Sequence, residues 1–448
     1  MSKHLDRRTF LKLAALAAGA SLVPASVHRA LADTAPYTGL YLITIHAGGG
    51  WDPLLFCDPK AGRARNRVSS GMGSAGNLRF AEHDIDPVAL GFDASHATEY
   101  RANMMTNRAF FERHSARTIV FNGVDTHTNN HDTGTRFTWS GHSPVGHPSI
   151  GALAAAAGGA GRPLAYLSQG GYDYTAGVVP LARAGNAGAL ARIATPNEID
   201  PNNAETDLYH SSVTYNRILE AQRARLTEQR AASGLPRIQQ AMSRFEQARL
   251  GTADLERLVL PENLATIPGY NLYDLQLMMQ QTQIAMSAFT AGVSISASLE
   301  LGGFDTHSDH DRGHVRQLAK LLRGIDYVRE QAVAAGLGSR VVILVGSDFG
   351  RGPDYNGPNE YDGKDHWPTT SMMALLPDGM SGGNRVIGGT DDDQLPLTLD
   401  PSSLAPRAGG VRLTPANIHR SVRRLLSLDA TDGARSHPLL GEDLPLFG

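Results

Sequence analysis

Short, mostly apolar runs recur along the chain, separated by stretches in which apolar residues return every three or four positions. The short runs are Gly39–Ala47, Thr118–Val124, Leu164–Ser168, Val293–Leu301, Val341–Val345 and Met372–Leu376. Runs of this length without a polar face read as strands covered on both sides. Ile150–Ala157, His310–Ala335 and Thr414–Leu426 carry helical spacing, and Thr414-Pro415 has the form of a cap followed by a first-turn proline. Strand and helix in alternation predict an α/β fold, a mostly parallel sheet with helices on both faces. Two stretches break the alternation. Asp58–Arg101 is polar and Gly-rich and reads as a surface excursion. Residues 205–290 read as a helical insertion, with helices at Val213–Ala232 and Arg237–Arg249 and then Leu275, Met278, Met279, Ala285, Met286 and Phe289 at helical spacing. The methionines there are expected in core packing, and the Arg217–Arg230 charges on a solvated face.

The N-terminus changes the picture of where the protein works. Asp6-Arg7-Arg8-Thr9-Phe10-Leu11-Lys12 precedes an apolar stretch, Leu13–Val23, and then Ala30-Leu31-Ala32. A charged start, a core of about eleven residues and an A-x-A end describe a signal peptide over 1–32, too short for the ~20 residues of a membrane span. The paired arginines resemble a twin-arginine export signal. The expected partner is therefore the twin-arginine machinery, and the expected location periplasmic or secreted. The remainder, 33–448, has no run long enough to span a bilayer and holds the single cysteine, Cys57, so an internal disulfide is excluded. Removing 1–32 takes away Lys3, Arg7, Arg8, Lys12 and Arg29 against Asp6, which moves the net charge from −3 to −7. That acidity argues against nucleic acid as a partner.

Carboxylates and imidazoles gather at the ends of the expected strands. Asp52 follows the first strand through Gly48-Gly49-Gly50-Trp51, where it could bind a cation or simply cap a turn. Asp125–His147, expected as a loop, contains His127, His131 and Asp132, which with the Thr133 hydroxyl could supply a nucleophile and its activating metal, and Arg136, which could clamp an anion. Asp305 and His307 stand two apart, on one side of an extended segment, and suit two ligands of one ion. His310 and His314, four apart on the following helix, are second candidates. Asp348 and Arg351 close a later strand, and Asp365-His366 follows a loop from Arg351 to Asp365. Oxygen and nitrogen donors without thiolate suit Zn, Mn, Mg or Ca.

The order GGGWD, NNHDTGTRF, GGFDTH, SDFGR and G-x-DH resembles a large bacterial family of twin-arginine-exported proteins of unknown function, related to the alkaline phosphatase and sulfatase superfamily. The resemblance implies an alkaline-phosphatase-like sheet and a two-metal site beside a nucleophile at a helix start. It implies metal ligation by Asp52, Asp305, His307, Asp348 and His366, with Thr133 (or Thr135) as nucleophile and Arg136 or Arg351 holding the anion. The reaction implied is hydrolysis or transfer of a phosphate ester, less readily a sulfate ester. One departure stands out: Phe349 follows Asp348 where two-metal phosphatases have histidine. Cys57 does not lie in a Cys-x-Pro-Ser-Arg context, which argues against usual sulfatase chemistry. A metal-stabilised, non-catalytic envelope protein is the alternative, and a water-based hydrolase of another bond, such as an amide, the third expectation.

Overall fold

The apolar runs form the centre of a large sheet. The computed structural model describes residues 37–447 except 62–64, 160, 184–191, 193–194, 201–204, 251–254, 256, 262 and 268–271. Its strands are β1 (Tyr41–Ala47), β2 (Gly71–Ala75), β3 (Leu78–Glu82), β4 (Thr118–Asp125), β5 (Tyr166–Ser168), β6 (Leu181–Ala182), β7 (Ser296–Leu301), β8 (Val341–Ser347), β9 (Gly350–Tyr355), β10 (Lys364–Trp367), β11 (Thr369–Leu375), β12 (Arg385–Gly388), β13 (Thr398–Leu399) and β14 (Val411–Arg412). Its principal helices are α1 (Ala97–Ala102), α2 (Asn107–His114), α3 (His131–Ser140), α4 (Ile150–Gly159), α5 (Ser212–Ala232), α6 (Pro236–Leu250), α7 (Tyr273–Thr290), α8 (His310–Ala334) and α9 (Pro415–Leu425). The expected signal peptide lies outside the described residues. Among those described, no helix is long and apolar enough to cross a membrane.

Eight strands pair in the order β12-β4-β11-β8-β1-β7-β5-β6. All neighbours are parallel except β11, which runs antiparallel to both β4 and β8. Every residue of β1, β4, β8 and β11 is buried, which is why these segments read as unbroken apolar runs. Leu42, Phe121, Val342 and Met372 pack with Ile150 and Leu153 of α4 and Ile418 and Val422 of α9. A separate cluster joins Leu275 and Met279 of α7 to Val315 and Ala319 of α8, over Phe92 and Tyr100. Met278, Met279 and Met286 are all buried, as core packing requires. α5 instead has no buried residue and packs against α6.

Three segments are more ordered than the pattern suggested. The expected surface excursion at 58–101 contains the β2–β3 hairpin and α1. The expected loop between Arg351 and Asp365 is spanned by the β9–β10 hairpin. Asp125–His147 contains α3, whose limits follow from its ends. The Asn130 side chain accepts from Thr133 N at 3.1 Å, and Gly141 closes the helix at φ 70°. Ten residues with a polar first turn give little periodicity, so this helix announces itself only through its caps.

α9 is tied to α3 through a buried imidazole: His419 Nε2 lies 2.7 Å from the Thr138 carbonyl. Burial pushes His419 down to about 4, so it is neutral in the folded chain at neutral pH. His310, His314 and His83 are lowered in the same direction, again chiefly by burial. With folded values below the unfolded ~6.5, the unfolded chain takes up protons first. Stability from these groups is full above pH ~6.5 and is lost as pH falls toward the folded values. His419 alone accounts for about 3 kcal/mol over that interval. Urea unfolding from pH 7.5 to 4.5 should show the fall, and His419→Gln should flatten it; an equally steep fall in the variant would refute the assignment.

Candidate metal centre

The site is assembled at one edge of the sheet. β7 and β8 flank β1 in a register that sets Ala47 opposite both Leu301 and Ser347, so three loops leave side by side. β11 enters at the same edge, with Thr369 opposite Asp125. Ser347 Oγ accepts from Gly50 N at 3.1 Å and Trp51 N at 3.0 Å, and Gly49 N donates to Asp348 Oδ2 at 3.2 Å. These bonds stitch the β1 loop to the end of β8. Gly49 is required there. Its φ is +120°, and a Cβ would sit 2.3 Å from the Asp305 nitrogen. Gly134 has a similar role, since a Cβ would meet the Asp348 carbonyl oxygen at 2.3 Å. Without that side chain, the start of α3 rests against the end of β8 and carries His131 into the site.

Three imidazoles converge on Asp305. His366 Nε2 lies 3.0 Å and His307 Nε2 3.1 Å from Asp305 Oδ1, and His131 Nε2 lies 3.5 Å from Oδ2. The Nε2 atoms of His307 and His366 are 2.9 Å apart. Donor atoms of His131, Asp305 and His366 all fall within 4.8 Å of one another, the spread of a ligand set around one ion. The opposite ring nitrogens are held from behind. His131 Nδ1 donates to Asp348 Oδ2 at 2.5 Å, His366 Nδ1 to the Asn129 carbonyl at 2.9 Å, and His307 Nδ1 sits 3.4 Å from Asp365 Oδ1. Protons at Nδ1 leave the Nε2 lone pairs facing the cluster, the arrangement that orients metal-bound histidines. The residues present therefore fit a divalent cation.

Charge is graded around this point. Burial raises the Asp305 carboxyl, but Arg351, His366 and His131 outweigh it and bring it to about 2. Asp348 is raised by burial and lowered more strongly by His46 and His131. His46 Nε2 lies 2.9 Å from Asp348 Oδ1, and Trp139 Nε1 donates to His46 Nδ1 at 2.9 Å. A relay from Trp139 through His46 and Asp348 thus orients His131. Phe349 is fully buried, its ring centroid 4.4 Å from that of His366 and 4.9 Å from that of His131. It braces the imidazoles as an apolar wall.

The expected site residues divide. Asp305, His307 and His366 come together, and Asp348 reaches them through His131. Asp52 does not join them. It is fully buried, with Oδ2 2.7 Å from Lys364 Nζ and 3.0 Å from His310 Nε2, and Oδ1 accepting from Leu54 N at 2.9 Å. Its backbone N–H donates to His314 Nε2 at 2.8 Å, so His310 and His314 belong to this separate network. The Lys364 ammonium faces the Asp52 carboxylate, which the structure thus places apart from the cluster around Asp305. Arg351 also differs from expectation. It is fully buried and bonds the carbonyls of Gly49, Gly50 and Lys364 as well as Asp305, so it positions a carboxylate and has no fork left for an anion. Thr133 and Arg136 face each other on the first turns of α3, with Arg136 Nη2 3.3 Å from Thr133 Oγ1.

His131 was expected among the polar groups of the Asp125–Arg136 loop that could hold a metal, and the start of α3 brings it to Asp305. His46 was not expected. His46 is an isolated histidine in a buried strand, and nothing local to it points to Asp348.

The fold is similar to that of the PsFucS1 sulfatase from Pseudoalteromonas sp., with a TM-score of 0.36 and 10% identity, covering 93% of this chain and 76% of that one. It is similar also to the lipoteichoic acid synthase LtaP from Listeria monocytogenes, at a TM-score of 0.35 and 9% identity over 91% and 79%. For a TAB5 alkaline phosphatase variant with Mg bound, the values are 0.30 and 9% over 80% and 96%. No curated protein matches the chain in sequence. The family model described as "Protein of unknown function (DUF1501)" matches residues 41–433, and the chain belongs to that family.

Proposed function

We propose that the protein is an exported hydrolase or transferase of phosphate esters, with sulfate esters as the second class, that depends on one divalent cation at Asp305, His131, His307 and His366. The observation that carries this reading is the convergence of three Nε2 atoms on one carboxylate, with each Nδ1 anchored from behind. An imidazole-rich set with a single carboxylate suits Zn or Mn better than Mg or Ca, which prefer oxygen. A cation bound there supplies electrostatic stabilisation for charge developing on the transferring group. One ion rather than two is supported by Lys364 beside Asp52 and by Phe349 after Asp348.

Thr133 is the proposed nucleophile. Its hydroxyl proton would pass to solvent as Oγ1 bonds to phosphorus or sulfur, the bond to the ester oxygen would break with that oxygen leaving as the alcohol, and water would then cleave the Thr133 ester to release phosphate or sulfate. Arg136, next to that hydroxyl, would hold the non-bridging oxygens. The twin-arginine signal at 1–32 would bring the chain to the periplasm or outside the cell already folded.

The test is Thr133→Ala assayed on a panel of phosphate mono- and diesters and sulfates. Turnover of any accepted ester should fall at least about 10³-fold with the cation retained. Unchanged turnover would remove Thr133 and favour activated water. A second reading, a metal-stabilised binding protein, draws on Phe349 and on the fully engaged Arg351 guanidinium; absence of turnover across the panel in the metal-loaded native chain would select it.

A further inference from the structure

The last turns of α9 and the chain that follows enclose a second polar cavity, of about 190 Å³, lined by Arg420, Arg423, Arg424, Asp429, Leu439 and Asp443. Arg423 is only 4% exposed. Its Nη1 donates to the His437 carbonyl at 2.7 Å and reaches the Ala434 carbonyl at 3.5 Å. Its Nε and Nη2 are buried and have no hydrogen-bond partner, and Arg420 Nε is in the same condition. The nearby carboxylates do not answer these donors. Asp443 pairs with Arg424 and stands 3.7 Å from Arg420 Nε, and among the described residues no carboxylate forms an ion pair with Arg423. Burial pushes the Arg423 guanidinium down to about 10, which leaves it cationic at neutral pH.

Three arginines against two aspartates leave the cavity wall with an excess positive charge. The unpartnered Nε–Nη2 edge of Arg423 is the planar fork that receives two oxygens of one oxyanion side by side. A halide would meet the charge but not both directions. We infer that this cavity binds a small inorganic oxyanion, phosphate or sulfate, on the Nε–Nη2 edge of Arg423. The ion would join α9 to the 434–443 segment. This site shares no residue with the candidate metal centre, and the inference stands apart from the function proposed for that centre.

Two measurements test it. Crystals soaked in selenate should show an anomalous peak within hydrogen-bond distance of Arg423 Nε and Nη2; a peak confined to the metal centre would overturn the inference. In solution, low-millimolar sulfate or phosphate at matched ionic strength should raise Tm by about 2 °C or more over chloride, saturably. The rise should disappear in Arg423→Gln and persist in His366→Ala, which removes a ligand of the metal centre instead. An undiminished rise in Arg423→Gln would overturn the proposal. Should that variant fail to fold, Arg423→Lys keeps the charge but loses the fork, and its half-saturating concentration should increase at least about tenfold; an unchanged value would equally overturn it.

Discussion

Asp305→Ala is expected to empty the candidate metal centre and remove ester turnover together. Among the described residues, Asp305 is the one carboxylate grouped with donor atoms of His131 and His366, and Arg351 is fastened to the same group. Its carboxyl, brought to about 2, is ionised at neutral pH and so would offer a cation an anionic ligand. Without it the three imidazoles would lose the carboxylate they share, and Arg351 would place an uncompensated cation beside them. Metal analysis should give about one equivalent of Zn or Mn in the native chain and about a tenth of that or less in the variant. Turnover should fall by at least about 10³-fold, the scale on which removing electrostatic stabilisation of a transition state is felt. Asp305 is nearly half exposed, but its partner Arg351 is fully buried, so the variant should also lose stability in urea unfolding. Full metal content in Asp305→Ala would sink the ligand assignment. Full metal content with lost turnover would mean instead that Asp305 touches substrate.

How much of this could be read from the chain depended on distance along it. The strands were legible because each is buried on both faces, and β1, β8 and β11 therefore appear as apolar runs. Asp305 and His307 were legible because two ligands at a spacing of two share a side of an extended segment. His366 and Asp348 were marked by their place beside strands at one edge of the sheet. Partners, by contrast, were not legible. Asp52 meets Lys364 across 312 residues and His310 across 258, and no local spacing encodes a charge pair of that kind. Arg351 reads as an anion clamp until its partners are seen to be the carbonyls of the glycine turn after β1. His46 looks like a satisfied core histidine, and it is one, satisfied by Asp348 and Trp139. In each case a local signal gave the residue its location and a distant one gave it its role.

Lys364→Met should therefore unfold the protein more easily without disturbing the candidate metal centre. Lys364 and Asp52 are both 0% exposed, and the ammonium also donates to the Arg65 carbonyl at 2.8 Å. Burial raises the Asp52 carboxyl, yet Lys364, His310 and His314 outweigh it and hold it well below the usual carboxylate range. Removing the ammonium leaves a carboxylate in a fully buried place with neutral imidazoles for company. Breaking one side of a buried pair typically removes about 3–5 kcal/mol of stability, and that is the loss expected in urea unfolding at pH 7. Asp52→Asn should lose a comparable amount, by stranding the ammonium. The double variant Asp52→Asn/Lys364→Met should recover part of the loss, because neither buried charge remains. The pH dependence has a definite sign. A depressed carboxyl contributes stability above its unfolded value near 4 and loses it as pH falls toward the folded value, so the gap between native and variant should narrow below pH ~4. Metal content should stay at about one equivalent in all three variants, since none removes an imidazole or Asp305. Loss of metal in Asp52→Asn with stability intact would restore Asp52 as a ligand and make Lys364 a bystander. Loss of stability with metal content unchanged would show that the Asp52–Lys364 pair is an internal ion pair separate from the candidate metal centre.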